Sequence, residues 1–144
     1  MAKRWLTALC ACMLIPMLLA QPLHAQPVVI AHAAVPVEQL TSAQLRSIFM
    51  MRQVMWPNNV PIRVYVLPNK APIHLAFVQQ KLQLFPYQLE RVWQKLTYSG
   101  TGTPPIEVTD LATMVELVQV TPGAIGYAEL KETPSALRII EIKP

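Results

Sequence analysis

Prolines divide this chain into short segments, and they constrain its fold more than any other feature of the sequence. Fourteen prolines occur among the 144 residues, and twelve of them lie beyond residue 25. A proline cannot donate a backbone hydrogen bond, so most helices and strands end close to one. Between the prolines, apolar runs alternate with amphipathic stretches. The pattern predicts an α/β domain in which helices flank a mixed or mostly parallel sheet of short strands.

Four short runs rich in apolar residues predict the strands. The clearest run is 62–67, where Ile62, Val64 and Val66 alternate with the other three residues and Pro68 ends the segment. The other runs are residues 28–31, 124–127 and 137–142. The last of them is a candidate for the edge of the sheet.

Each of four predicted helices begins at a recognisable start signal. Thr41 opens a capping box, in which its side chain and that of the residue three places later bind each other's backbone N–H groups. Pro72 and Pro86 suit the first turn of a helix. Thr109 or Asp110 suits the cap of the last helix. The residues expected on the buried faces are Leu45, Ile48 and Phe49; Leu75, Val78 and Leu82; Leu89, Val92, Trp93 and Leu96; and Leu111, Met114, Val115 and Val118.

Residues 1–25 have the features of a cleavable secretory signal peptide. Two basic residues precede an almost wholly apolar run over residues 5–20. Ala25 is the expected last residue before cleavage, and Ala20 is a second candidate. The run is shorter than the roughly 20 residues that a membrane-spanning helix needs, although an uncleaved anchor is the alternative. We therefore expect residues 26–144 to form one exported, periplasmic domain without a stable membrane anchor.

The composition of this exported domain excludes several classes of function. Cys10 and Cys12 both lie in the predicted signal peptide, so the domain has no disulfide and no thiol nucleophile. His32 and His74 are its two imidazoles. Ten Lys and Arg residues face eight Asp and Glu residues beyond residue 25, too small an excess for a nucleic-acid footprint. With no carboxylate pair, metal-ligand spacing or phosphate-binding loop, we predict no enzymatic activity, metal, cofactor or nucleic-acid partner.

Three blocks of sequence, taken in order, resemble a known family. The blocks are residues 40–49 with Trp56, Asn58 and Asn59; Trp93 with residues 98–100; and residues 121–127, Thr-Pro-Gly-Ala-Ile-Gly-Tyr. They are similar to the phosphate-type substrate-binding proteins of ABC transporters, which have the type II periplasmic-binding-protein fold. The resemblance spans about residues 28–130. It implies a single lobe of that fold, similar to the second lobe of the family.

Several residues of these blocks are expected to serve packing. Gly123 suits the end of a helix, where the backbone needs a positive φ. Gly126 lies inside a predicted strand, where a missing side chain lets a neighbouring group approach closely. Trp56 and Trp93 provide large apolar surfaces for the core.

The resemblance implies binding of phosphate or another small oxyanion for an ABC-type uptake system. In the family, an Arg after the central strand and a Ser-Gly-Thr at the next helix typically hold the anion, because guanidinium, hydroxyl and backbone N–H groups bind oxyanions well. The matching positions of this chain are Leu67, Ala71, Pro72 and Ile73. None of these side chains can donate a hydrogen bond, and a proline lacks the backbone N–H as well.

Polar residues on loops at element ends form the candidate ligand-binding set, because α/β domains place their sites there. The set is Asn69, Lys70, Ser99, Gly100, Thr101 and His32. Lys70 can replace the missing Arg as a point charge, and the segment that begins at Ser99 can offer hydroxyls and N–H groups to an anion. Each residue of the set has an ordinary loop or strand-end role as its alternative.

Two functional hypotheses follow from the sequence. The first is a binding module for a small oxyanion. The second is a non-enzymatic interaction protein that uses the former cleft face to dock a protein partner or to form a homodimer, since an exposed apolar face tends to mark an interface.

Overall fold

The computed structural model describes residues 25–144, so the predicted signal peptide lies outside the described residues except for Ala25. The described chain forms a six-stranded sheet flanked by helices. The strands are β1 (Pro27–Ala31), β2 (Gln39–Thr41), β3 (Arg63–Val66), β4 (Ile106–Glu107), β5 (Ala124–Glu129) and β6 (Arg138–Lys143). The helices are α1 (Ser42–Phe49), α2 (Pro72–Phe77), α3 (Pro86–Ser99) and α4 (Leu111–Val120). Among these helices, none is long and apolar enough to cross a membrane.

The strand order across the sheet is β2-β6-β1-β5-β3-β4. β1 runs antiparallel to both of its neighbours, β5 and β6. β3 runs parallel to β4 and β5, and β2 runs parallel to β6. The predicted α/β class with a mixed sheet is therefore confirmed.

The expectation that the last strand lies at the edge of the sheet is wrong. β6 lies between β1 and β2, and β2, which the sequence pattern does not predict, forms that edge. β2 has only three residues, and two of them are polar and exposed, so it lacks the apolar signal of a strand. A hydrogen bond of 2.8 Å from Gln39 Nε2 to Glu141 Oε2 adds a side-chain contact to its pairing with β6.

The helix starts lie where the sequence predicts them. Gln44 N donates to Thr41 Oγ1 at 3.1 Å, and Thr41 N donates to Gln44 Oε1 at 2.8 Å, which completes the capping box of α1. Asp110 caps α4, because its Oδ1 accepts from Thr113 N at 2.8 Å. This hydrogen bond also lowers the pKa of the Asp110 carboxyl. Pro72 and Pro86 each lie in the first turn of their helices.

The Thr41→Ala variant is expected to lose about 1 kcal/mol of unfolding free energy, because the first turn of α1 then lacks its side-chain acceptor. Urea unfolding followed by circular dichroism measures the loss. Thr41→Ser is the matched control, since it keeps the hydroxyl, and it should lie close to the wild type. Equal losses in the two variants would contradict the capping role.

The buried face of α2 differs from the predicted stripe. Leu75 is half-buried, whereas His74, Val78 and Leu82 are buried. Beyond Phe77, α2 continues into a π-helical turn, Val78–Leu82, which has more residues per turn than an α-helix. The predicted stripe is therefore correct at Val78 and Leu82 and wrong at Leu75, whose neighbour His74 is buried instead.

The other helices bury fewer of the predicted residues than expected, except for α1. Leu45, Ile48 and Phe49 of α1 are all buried. Leu89 of α3 is buried, whereas Val92, Trp93 and Leu96 are half-buried. Met114 and Val118 of α4 are buried, whereas Leu111 and Val115 are half-buried. Helix α3 thus buries one side chain and α4 buries two, and the rest of their apolar faces is partly open to solvent.

Gly123 joins the segment before β3 to the start of β5. Its φ is 78°, in the left-handed region that glycine favours, as the sequence predicts. Its carbonyl oxygen accepts from Trp56 Nε1 at 3.0 Å and from Arg63 N at 3.0 Å. Gly126 packs closely against α4, because a Cβ at this position would lie 2.5 Å from Met114 Sδ. Both glycines therefore have the packing roles that the sequence indicates.

Candidate functional site

The turn between β3 and α2 holds the positions that correspond to the family's anion-binding turn. Leu67 and Ile73 are buried there, Asn69 is half-buried and Lys70 is exposed. The buried apolar side chains have no donor for an anion. Lys70 is the charged residue of this turn, and Asn69 next to it adds an amide group.

The Lys70 ammonium group is open to solvent. Within residues 25–144, the ion pairs are Lys131 with Glu129 at 3.2 Å and Arg138 with Glu38 at 2.9 Å. Neither pair includes Lys70. An anion that approaches the turn from solvent therefore meets a positive charge that no carboxylate of residues 25–144 pairs with, although Glu107 of β4 lies beside Val66 at the same end of β3.

A buried histidine lies in the first turn of α2, where the sequence places it, but it is not one of the candidate ligand-binding residues. His74 is 1% exposed, and its Nδ1 lies 2.6 Å from the Tyr127 hydroxyl oxygen. That hydroxyl accepts from Leu67 N at 2.8 Å, so its own proton is free to bind His74 Nδ1. The pattern assigns the neutral Nε2–H tautomer to His74. Phe77 stacks on the Tyr127 ring at 4.1 Å between centroids.

The protonation states of this pair follow from burial. Burial lowers the pKa of His74 to about 4. Burial also raises the pKa of Tyr127. At neutral pH both groups are uncharged, so they contribute no positive charge to the turn. They also occupy the backbone N–H of Leu67, which is then unavailable to a ligand.

Ser99, Gly100 and Thr101 lie at the end of α3 and use their polar groups to end that helix. Ser99 Oγ donates to Lys95 O at 2.6 Å and lies 2.7 Å from Thr101 Oγ1. Gly100 has a φ of 65°, which suits the left-handed residue after a helix. The following loop leads to β4, whose Ile106 pairs with Tyr65 of β3. Because these strands are parallel, the Ser99 segment approaches the amino end of β3.

His32 follows β1 and also lies near the amino end of β3. Its backbone N donates to Ala124 O at 3.0 Å, and Ala124 pairs with Arg63, the first residue of β3. Its Nδ1 accepts from Ala34 N at 3.1 Å, so the ring supports a local turn.

The structure therefore brings only part of the candidate set together. Asn69 and Lys70 are neighbours at the carboxyl end of β3, whereas Ser99, Thr101 and His32 lie towards its amino end. If β1 ran parallel to β3 and β5, the residue after β1 would lie with those after β3. The antiparallel pairing of β1 with β5 places it at the opposite end. The ligand-binding role of each residue stays a prediction.

Comparison with known proteins gives a match in fold. No protein-family model and no curated protein sequence matches the chain. An ABC-type phosphate transport receptor from Vibrio cholerae superposes with a TM-score of 0.64 at 16% identity, over 82% of this chain and 46% of that chain. A putative phosphate ABC transporter substrate-binding protein from Clostridium perfringens, solved with bound phosphate, gives 0.66 at 19% identity, over 82% and 45%. The chain has the fold of one lobe of a phosphate-type substrate-binding protein.

A third structure, PstS from Borrelia burgdorferi, gives a TM-score of 0.62 at 16% identity, over 83% of this chain and 47% of that chain. The chain thus spans about half the length of the structures that it matches. The resemblance carried by the three sequence blocks, and the type II fold that it implies, are confirmed. At this identity the likeness shows the fold alone.

Proposed function

We propose that the chain is an exported, non-catalytic binding protein that takes a small oxyanion at the turn between β3 and α2. The exposed Lys70 ammonium group, open to solvent beside Asn69, is the observation that carries the proposal. The similar Clostridium perfringens protein was solved with bound phosphate, which supports an anion of that size and charge. In this proposal the protein serves an ABC-type uptake system in the periplasm.

The proposed contacts make this binding weaker than that of a site with a full set of donors. Leu67 and Ile73 replace side-chain donors with buried apolar groups, and the neutral His74 adds no charge. The ammonium of Lys70 is a point charge without the paired donors of a guanidinium. Solvent-exposed charges are screened over about 10 Å at 0.1 M salt. Binding should therefore weaken steeply as the ionic strength rises.

The Lys70→Gln variant is expected to lose the oxyanion response. A ligand at ten times its dissociation constant raises the unfolding free energy by about 1.4 kcal/mol. Thermal unfolding of the wild type at low ionic strength should therefore shift upwards with phosphate, sulfate or molybdate, and Lys70→Gln should not shift. Lys95→Gln on α3 is the matched control and should keep the full shift.

Two outcomes would contradict this proposal. One is the absence of a shift in the wild type with any of the three anions at low ionic strength. The other is an equal shift in Lys70→Gln and the wild type, which would move the site away from this turn.

A second candidate function is docking of a protein subunit or a second copy of this chain on the same strand-end face. Leu130 favours it, because this leucine follows β5 and is 61% exposed. Pro72, one of the apolar residues at the positions of the anion donors, is also exposed at this end of the sheet. Light scattering over a range of concentrations should then show a dimer, and Leu130→Asp should return it to the monomer. A monomer at all concentrations would contradict self-association.

A further inference from the structure

An apolar cleft opens at the amino end of β3, away from the turn that holds Lys70. Its volume is about 450 Å³, which lies in the range of sites for small organic molecules. The loop between α1 and β3 forms one wall with Met51, Val54 and Met55, and the loop before β4 forms the other. Leu96 of α3 closes the cleft on one side.

The walls of this cleft expose apolar side chains that the core does not need. Val54 is 50% exposed, Met55 is 42% exposed and Ile106 is 43% exposed. All three line the cleft, so the exposed apolar surface is contiguous. Met side chains adapt their shape to irregular ligands. Contiguous apolar surface of this kind tends to mark a binding site.

The wall loop of the cleft is held by main-chain pairing. Met55 and Pro61 form an antiparallel bridge. Ile62 N donates to Val54 O at 2.9 Å, and Trp56 N donates to Val60 O at 2.9 Å. These bonds fix the Met51–Met55 wall against the start of β3, so the cleft exists before a ligand arrives.

Arg63 is the charged residue among those that line the cleft. It is exposed, and neither ion pair of residues 25–144 includes it. Its backbone is fixed, because Arg63 N donates to Gly123 O at 3.0 Å. A planar guanidinium offers paired donors that match a carboxylate. Apolar walls with the single positive charge of Arg63 favour a ligand that has an apolar body and one negatively charged end.

We infer that the cleft between the Met51–Met55 loop and the loop before β4 binds an apolar carboxylate, such as a medium-chain fatty acid, with Arg63 at the carboxylate. The hydrocarbon chain lies against Met51, Val54 and Met55, where it is removed from contact with water. The site lies at the opposite end of β3 from Lys70, so it does not depend on oxyanion binding. Phosphate should not compete with the carboxylate.

Decanoate, decanol and decyltrimethylammonium, each below its micelle concentration, test the inference on the wild-type protein. Nuclear magnetic resonance of isotope-labelled methionine methyl groups reports where they bind. Decanoate should shift the Met51 and Met55 signals and leave buried Met114 unchanged. Decanoate should bind more tightly than decanol and far more tightly than the cation. Shortening the chain should weaken binding about fourfold for each methylene removed.

Two variants separate the charge from the apolar walls. Arg63→Gln should weaken decanoate binding about fivefold and leave decanol binding unchanged. Arg91→Gln, an exposed arginine of α3 outside the cleft lining, is the matched control and should bind decanoate as the wild type does. Met55→Glu should weaken decanoate binding as well, since it puts a negative charge in the wall.

Three outcomes would overturn the inference. The first is equal binding of decanoate and the cationic amphiphile, which would show unselective apolar contact. The second is an unchanged decanoate affinity in Arg63→Gln. The third is a set of signal shifts that includes Met114 as strongly as Met51 and Met55, which would indicate general loosening of the domain. Failure of the Lys70 experiment leaves this result untouched, because the two sites use different residues.

Discussion

The Gly123→Ala variant is expected to lose about 3 kcal/mol of unfolding free energy. A left-handed backbone costs a residue with a Cβ about 1–2 kcal/mol, and Gly123 has a φ of 78°. The new Cβ would also collide with the backbone oxygen of Pro61. Relief of that collision moves the carbonyl of Gly123, which accepts from both Trp56 and Arg63. Each of these hydrogen bonds contributes about 1 kcal/mol when it is intact.

Gly100→Ala provides the matched control for this prediction. Gly100 has a φ of 65°, and a Cβ there would have no neighbour within 4 Å. It should therefore show only the backbone cost, about 1 kcal/mol. Urea unfolding followed by tryptophan fluorescence measures both variants, and Trp56 reports directly on the Gly123 contact. Equal losses at the two positions would show that the packing against Pro61 contributes nothing.

Acid is expected to destabilise the domain through His74. The pKa of this group is about 4 in the folded protein, whereas an unperturbed histidine of an unfolded chain has a pKa of 6.5. The unfolded chain therefore takes up a proton first as the pH falls. The contribution of neutral His74 to the unfolding free energy is fully present above about pH 6.5 and is lost as the pH falls towards 4. At 1.36 kcal/mol per pKa unit, the loss is at most about 3 kcal/mol.

Carboxylates also titrate in acid, so the test compares two proteins. Unfolding free energies measured from pH 7 to pH 4 should fall more steeply for the wild type than for His74→Phe, which has no imidazole to protonate. The imidazole resonances of His74 should stay at their neutral positions until the pH approaches 4. A His74 signal that titrates near pH 6.5, or parallel pH curves for the two proteins, would contradict burial of the neutral ring.

The features that the sequence predicts correctly are those that depend on residues close together in the chain. The capping box at Thr41 and the cap at Asp110 depend on residues three positions apart, so no knowledge of the tertiary fold is needed. The positive φ of Gly123 follows from a Pro-Gly that ends a helix. The six-stranded sheet is harder to predict, because β2 is too short and too polar to differ from a loop.

The features that the sequence does not predict depend on contacts between residues that are far apart in the chain. His32 and Lys70 both follow apolar strands, but the antiparallel pairing of β1 with β5 puts them at opposite ends of the sheet. No property of either residue reveals this separation. The burial of His74 rather than Leu75 is similar, because it depends on the contact of His74 with Tyr127. The contact between His74 and Tyr127 joins residues 53 positions apart and leaves no local pattern.

The pairing of β1 also sets when this chain can fold. β1 begins at residue 27, and both of its partners, β5 and β6, come from the last 21 residues of the chain. The centre of the sheet thus needs loop closure over about a hundred residues, which slows folding because the entropy is lost before the contacts form. A chain that emerges amino end first cannot complete the pairing of β1 with β5 until residue 129 is free, or the sheet beyond β6 until residue 143 is free. β1 therefore remains without either of its sheet neighbours for most of the synthesis of the chain.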